Sequence, residues 1–140
     1  MAFKIFLDAN ILLDFTLKRD NFLVTKKIME CTVDGRVKAH VTPSIIQILG
    51  YWLNKAYGAT KTKQILVALS DDIKIIDTDH HHVVMSLHSK ITDIEDAIQY
   101  YSALHHQLDF FISSDKQLKK QSISVLPVLT VEQFLRQLED

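Results

Sequence analysis

The sequence predicts an α/β domain, a parallel sheet of short strands covered by helices. Short apolar runs recur along the chain. Longer stretches with apolar residues at helical spacing lie between them, and helix-start signals such as Thr42-Pro43 mark the junctions. Strands this short and apolar on both faces suit a parallel sheet buried between helices. Strand–helix alternation builds such a sheet through right-handed crossovers.

The elements follow in order. Residues 4–7 (KIFL) read as a first buried strand, with a helix beginning near Ile11. Residues 38–41 read as a second strand. Thr42 then caps a helix with Pro43 at its first position. Ile65, Leu66 and Leu69 mark another helix before Asp71-Asp72, and residues 73–76 form a third strand. Asp79-His80-His81-His82 reads as a polar helix start after Thr78. With His88, His105 and His106 it also invites a zinc reading, but no HExxH pattern occurs and adjacent helical histidines cannot all face one ion. Thr92 with Glu95, Ser114 with Gln117, and Thr130 with Gln133 have capping-box spacing. Ile94, Ala97, Ile98, Tyr101 and Leu104 predict one buried helical stripe. Residues 110–112 form a fourth strand and 124–128 a short fifth.

Composition bounds the function. The 140 residues match one globular domain, expected over residues 1–140, and 47% of them are hydrophobic. No window reaches the roughly 18 to 20 apolar residues of a membrane span. The N-terminal MAFKIF run meets Asp8 at once, unlike a signal peptide, so the cytoplasm is the expected location. Cys31 is the only cysteine, which excludes an intramolecular disulfide and a cysteine metal cluster and suggests a small buried apolar residue. A net charge of −1 neither announces nor excludes a nucleic-acid partner.

In an open parallel sheet, ligands bind beyond the carboxyl ends of the strands. Asp8 directly follows the first strand; Ser113, Ser114 and Asp115 follow the fourth. Asp8 or Asn10 serves equally well as a helix cap or as an oxygen ligand. Asp93, Glu95 and Asp96 open the helix of the 94–104 stripe. The helix dipole accounts for Asp93 and Glu95, whereas Asp96, beside Ala97, is better placed to enter a pocket. Carboxylates gathered from distant segments repel unless cations bind among them, and Mg²⁺ or Mn²⁺ prefers such oxygen donors. Lys61, Lys63, Lys116, Lys119 and Lys120 read as solvated surface or phosphate contacts. Tyr51, Trp52 and Tyr57 read as a helix or dimer contact, or as base-stacking residues.

FLDANILLDF, TDIEDAIQYYSAL and FFISSDKQL resemble the motifs of PIN domains, especially the subgroup related to VapC-type toxins of toxin–antitoxin systems. The order and spacing match over nearly the whole chain, and EDAIQYYSAL is the most specific part. The resemblance implies a three-layer α/β/α sandwich around a parallel sheet of order 3-2-1-4-5. It implies a Mg²⁺- or Mn²⁺-dependent endoribonuclease, with RNA as substrate, an antitoxin protein as partner and a homodimeric state. Carried over by motif, Asp8, Asp96 and Asp115 would be the catalytic metal ligands. Asn10, Ser113 and Ser114 would be supporting polar residues, and Asp93 or Glu95 an auxiliary acid. One family acid, in the helix after the second strand, would align near Gln47 or Ile48, and neither is acidic. Leu118 replaces the aromatic that usually follows the fourth acid.

Two rival readings follow. The missing acid motivates a degenerate PIN domain that binds RNA or a protein without cutting. Asp8-Ala9-Asn10 after a strand motivates a phosphatase of the haloacid-dehalogenase type, which would need a second acid where Asn10 stands.

Overall fold

The computed structural model describes residues 2–139. Strands β1 (Phe3–Leu7), β2 (Val37–Val41), β3 (Ile73–Ile75), β4 (Phe110–Ile112) and β5 (Val128–Leu129) form one parallel sheet in the order 3-2-1-4-5. Helices α1 (Ala9–Thr16), α2 (Phe22–Val33), α3 (Pro43–Tyr57), α4 (Ala59–Ser70), α5 (His80–Leu87), α6 (Ile94–His105), α7 (Lys116–Gln121) and α8 (Val131–Glu139) complete a three-layer α/β/α sandwich. Helices α1 to α4 pack against one another and α8 packs on α2, while α5 packs on α6.

Strand β1 is central because its residues are apolar on both faces: Ile5, Phe6 and Leu7 are fully buried. It pairs with β2 on one side and β4 on the other. The chain leaves β1 towards β2 and β3, then crosses back to β4 and β5. The order therefore reverses between β1 and β4, and a crevice opens beyond their carboxyl ends. Phe6 and Phe111 stack across this junction, with centroids 4.7 Å apart. Tyr100 of α6 packs on Phe111 at 5.6 Å, so the same aromatic group fastens α6 to the junction.

Local chemistry explains the helix starts. Thr42 caps α3, its Oγ1 accepting from the Ile45 N–H, with Pro43 at the first helical position as expected. Thr130 and Gln133 form the predicted reciprocal box. Asp79 caps α5, and the His82 ring answers by accepting the Asp79 N–H. The histidine run is thus a helix start, as the polar reading held. Cys31 is buried, also as expected.

Several expectations need correction. The cap of α6 is Asp93, not Thr92, and the cap of α7 is Asp115, not Ser114. In each case an aspartate one residue further on outcompetes the hydroxyl, because a charged acceptor satisfies the first N–H groups more strongly. The fifth strand is Val128–Leu129, not residues 124–128. Residues 124–126 turn, with Val125 facing solvent and only Leu126 buried, and Pro127 has no N–H to give a ladder. The stripe on α6 is also displaced. Ile94 is exposed, and Ile98, Tyr101 and Leu104 are half-buried. The deep face carries Ala97, Gln99, Tyr100, Ser102 and Ala103, because α6 is gripped from more than one side and small or hydrogen-bonded residues fit there.

The Tyr100 hydroxyl donates to the Leu126 carbonyl at 2.6 Å and accepts from the Ile123 N–H at 2.9 Å. This pins the turn before β5. Tyr100→Phe leaves those two backbone groups without their partner, and urea unfolding should show a loss of about 1–3 kcal/mol. An unchanged midpoint would assign the turn's position to packing alone.

Candidate functional site

The site is built where β1 and β4 end side by side. The Asp8 N–H donates to the Ile112 carbonyl at 3.1 Å, carrying the β1–β4 pairing one residue past the strand. Asp8 then caps α1. One carboxylate oxygen, Oδ1, accepts from the Ala9 N–H at 2.8 Å. The other, Oδ2, accepts from the Ser113 hydroxyl at 2.7 Å. The two readings of Asp8, cap and inward-facing acid, are therefore compatible.

Ser113 lies beneath the site, 2% exposed, and its oxygen also accepts the Asp115 N–H at 3.1 Å. One serine thus ties the acid after β1 to the acid after β4. Asp115 Oδ1 accepts from the Gln117 and Leu118 N–H groups at the start of α7. Asp96 stands in the first turn of α6, its own N–H held by the Asp93 carboxylate at 2.9 Å. Its carboxyl group lies close enough to that of Asp115 for the two to affect each other's charge.

These groups line one cavity of about 410 Å³. Asp8, Asn10, Glu95, Asp96, Ser114 and Asp115 form its polar side; Leu13, Ile48 and Trp52 form the apolar side. Asp93 does not line the cavity. It caps α6 and adds charge from outside. None of Lys61, Lys63, Lys116, Lys119 or Lys120 lines the cavity.

The electrostatics follow from crowding. Burial raises the Asp96 carboxyl above the ordinary carboxylate range, and the negative charges of Asp8, Asp93 and Asp115 push it further, to about 7. Burial also raises Asp8, although the bonds from Ser113 and Ala9 oppose the shift. Glu95 is raised by burial and then by Asp93 and Asp8. The site therefore favours a proton, or another cation, among its acids.

The donor set is all oxygen, which suits Mg²⁺ or Mn²⁺. Among the described residues, no three His, Cys, Asp or Glu side chains are already drawn into a metal-binding arrangement, in this cavity or among the histidines of α5 and α6. The acids face a shared space without closing on a single point. Mg²⁺ usually keeps several waters and takes only one or two carboxylates, so the residues present fit such an ion without a complete protein cage.

Neither position expected for the missing family acid, Gln47 or Ile48, is acidic. Ile48 forms part of the cavity wall, and Gln47 faces an adjoining cleft with Ser44, Tyr51 and Trp52. Tyr51 and Trp52 do not fill a helix contact: they are 56% and 45% exposed. Tyr57 does pack inward, its hydroxyl donating to the Thr16 carbonyl at 2.9 Å.

Sequence reading missed the brace between the walls. Gln99, 2% exposed, accepts from the Thr42 hydroxyl through Oε1 and donates to Ser44 Oγ at 2.6 Å through Nε2. This fixes the start of α3 to α6 one turn beyond Asp96. The available signal was a glutamine within the otherwise buried side of EDAIQYYSAL.

The Asp96 shift has a defined consequence for stability. The folded chain keeps the Asp96 proton up to about pH 7, whereas the unfolded chain releases it near pH 4. The unfolded state thus binds fewer protons in that window, and stability falls as pH rises through it. Metal-free protein should show a melting temperature that declines from about pH 4 to 7 on this account. Asp96→Asn should flatten the decline and raise the melting temperature at pH 7. Identical pH profiles for the two chains would remove Asp96 as the group responsible.

Comparison with known proteins adds the family. The model of the PIN domain family matches residues 4–117. No curated protein matches the chain in sequence. Among solved structures, the chain resembles one from the VapBC2 complex of Rickettsia felis bound to a promoter DNA fragment. The TM-score is 0.68 at 12% identity, covering 91% of this chain and 98% of that one. It also resembles PAE2754 from Pyrobaculum aerophilum, with a TM-score of 0.62 at 16% identity over 99% of this chain and 98% of that one. At such identities the likeness establishes the shared fold. The family match, which spans all three acid-bearing segments and most of the sheet, establishes more: the chain belongs to the PIN domain family.

Proposed function

We propose that this chain is a Mg²⁺- or Mn²⁺-dependent endoribonuclease whose active site is the cavity between Asp8, Asp96 and Asp115. PIN domains are generally nucleases, which supports hydrolysis at the coarse level. The observation that carries the finer reading is the convergence of three carboxylates, from three separate segments, on one cavity at the sheet's switch point.

A bound divalent ion would supply activation of water for in-line attack at phosphorus and neutralisation of charge on the leaving oxygen. The chain's own residues do the rest. Asp8, Asp96 and Asp115 would hold the ion. Ser113, bonded to Asp8 and to the Asp115 backbone, keeps two of those ligands in register. Asp96 must give up its proton for the ion to enter, so loading should strengthen as pH rises through about 7. Asn10, Ser114 and Glu95 line the same cavity and offer further oxygen contacts, and Asp93 adds charge behind them. Ile48 and Leu13 form an apolar wall opposite the acids.

This reading carries partners with it: RNA as substrate, a protein inhibitor of the antitoxin type covering the cavity, and a second copy of the chain. A cytoplasmic location goes with them; no described helix is long and apolar enough to cross a membrane. A second reading, a PIN domain that binds without cutting, is favoured by one observation, the absence of an acid at Gln47 and Ile48. The phosphatase reading lacks its second acid, since Asn10 is a neutral, exposed amide.

Purified protein should cleave single-stranded RNA with Mn²⁺, and Asp96→Asn should abolish cleavage while the fold persists. Ser113→Ala should weaken Mn²⁺ binding or activity by about tenfold, as expected for a residue that orients a ligand. Calorimetry separates the readings: a chain that binds no Mn²⁺ at millimolar levels and leaves varied RNAs intact is not a nuclease.

A further inference from the structure

We propose that Tyr51 and Trp52 form a stacking platform for unpaired bases of single-stranded RNA, holding the strand beside the acidic cavity. The inference rests on the ribonuclease reading and deepens it by assigning a substrate subsite.

Two neighbouring aromatic rings on α3 face solvent, at 56% and 45% exposure. Their centroids lie 5.2 Å apart with the planes perpendicular. A pair packed into the core would be covered; here about half of each side chain stays open to solvent, with the Lys55 ammonium over the rings. The cleft they line, about 400 Å³, also contains Ser44 and Gln47, and it shares Ile48, Trp52 and Glu95 with the acidic cavity. The two spaces therefore adjoin, and Trp52 lines both.

The chemistry fits an unpaired base. Every base has a π face, so aromatic side chains bind single strands with little sequence preference. Duplex bases are already stacked and cannot use such rings. The Lys55 ammonium lies 4.4 Å from the Tyr51 centroid and 5.4 Å from that of Trp52. It supplies a positive charge where a strand leaving the carboxylates would need one. A base entering the cleft would displace the ammonium from the rings and free it for a phosphate. Thr42 and Gln99 anchor the start of the helix that carries the platform.

Trp52 is the only tryptophan, so its intrinsic fluorescence reads the platform directly. The full chain carrying Asp96→Asn, with Mn²⁺ present, should show saturable quenching by a short oligo(A) and none by a duplex of equal length. In the otherwise unaltered chain, Trp52→Ala should raise KM for oligo(A) about tenfold, more than it lowers kcat. Trp52→Phe should restore KM. Unaltered fluorescence and KM, alongside cleavage that still depends on Asp96, would overturn the platform and leave the nuclease reading intact. Quenching without any cleavage would support the platform and overturn the nuclease reading. Fluorescence that answers only to protein concentration or to a protein inhibitor would reassign the rings to a protein interface and overturn the proposal.

Discussion

The pairing of β1 with β4 is the constraint on which the site depends. Asp8 and Asp115 are more than a hundred residues apart in sequence, yet each directly follows one of these strands or its short extension. The ladder continues through the Asp8 N–H to the Ile112 carbonyl, and Ser113 then bonds the Asp8 carboxylate and the Asp115 backbone. A slip of register here would turn the residues after the strands to opposite faces and part the acids. Full burial of Ile5, Phe6 and Leu7, with the stacking of Phe6 on Phe111, makes such a slip costly.

That constraint concentrates negative charge, and several devices make the concentration tolerable. Each of the aspartates that begins a helix receives N–H groups there: Asp8 at α1, Asp93 at α6 and Asp115 at α7. The helix N-termini favour the anions electrostatically. Asp96 has no such help, since its neighbours and burial all oppose its charge. Its carboxyl group therefore holds a proton up to about pH 7. Capping and ligand binding are therefore not rival explanations of these acids. The caps hold the carboxylates in place while the repulsion left over creates the appetite for a cation.

The opposite wall is apolar. Ile48, Leu13 and Trp52 leave the cavity with a charged face and a greasy one. An exposed aromatic side chain thus stands beside a cluster of oxygen donors. The Thr42–Gln99–Ser44 brace keeps the two walls at a fixed spacing, because a buried amide with both ends bonded cannot shift without leaving polar groups unpaired.

Four strands and most helices were legible in the sequence, which also singled out Asp8, Asp96 and Asp115 as candidates. Strand β1 needs burial on both faces and carries only apolar residues at its end, and Thr42-Pro43 and Thr130-Gln133 are local signals that operate within a few residues. Where local signals competed, neighbouring residues decided: Asp93 and Asp115 took the caps from Thr92 and Ser114. The short fifth strand and the true buried face of α6 could not be read, since they depend on what packs against them. Tertiary structure alone decided that Asp8, Asp96 and Asp115 share one cavity, that Gln99 braces its walls, and that Trp52 opens onto it. Residue types and spacing fix which groups can do chemistry; only the crossing of the chain between β1 and β4 fixes which of them meet, because those contacts span distances along the sequence that no local pattern encodes.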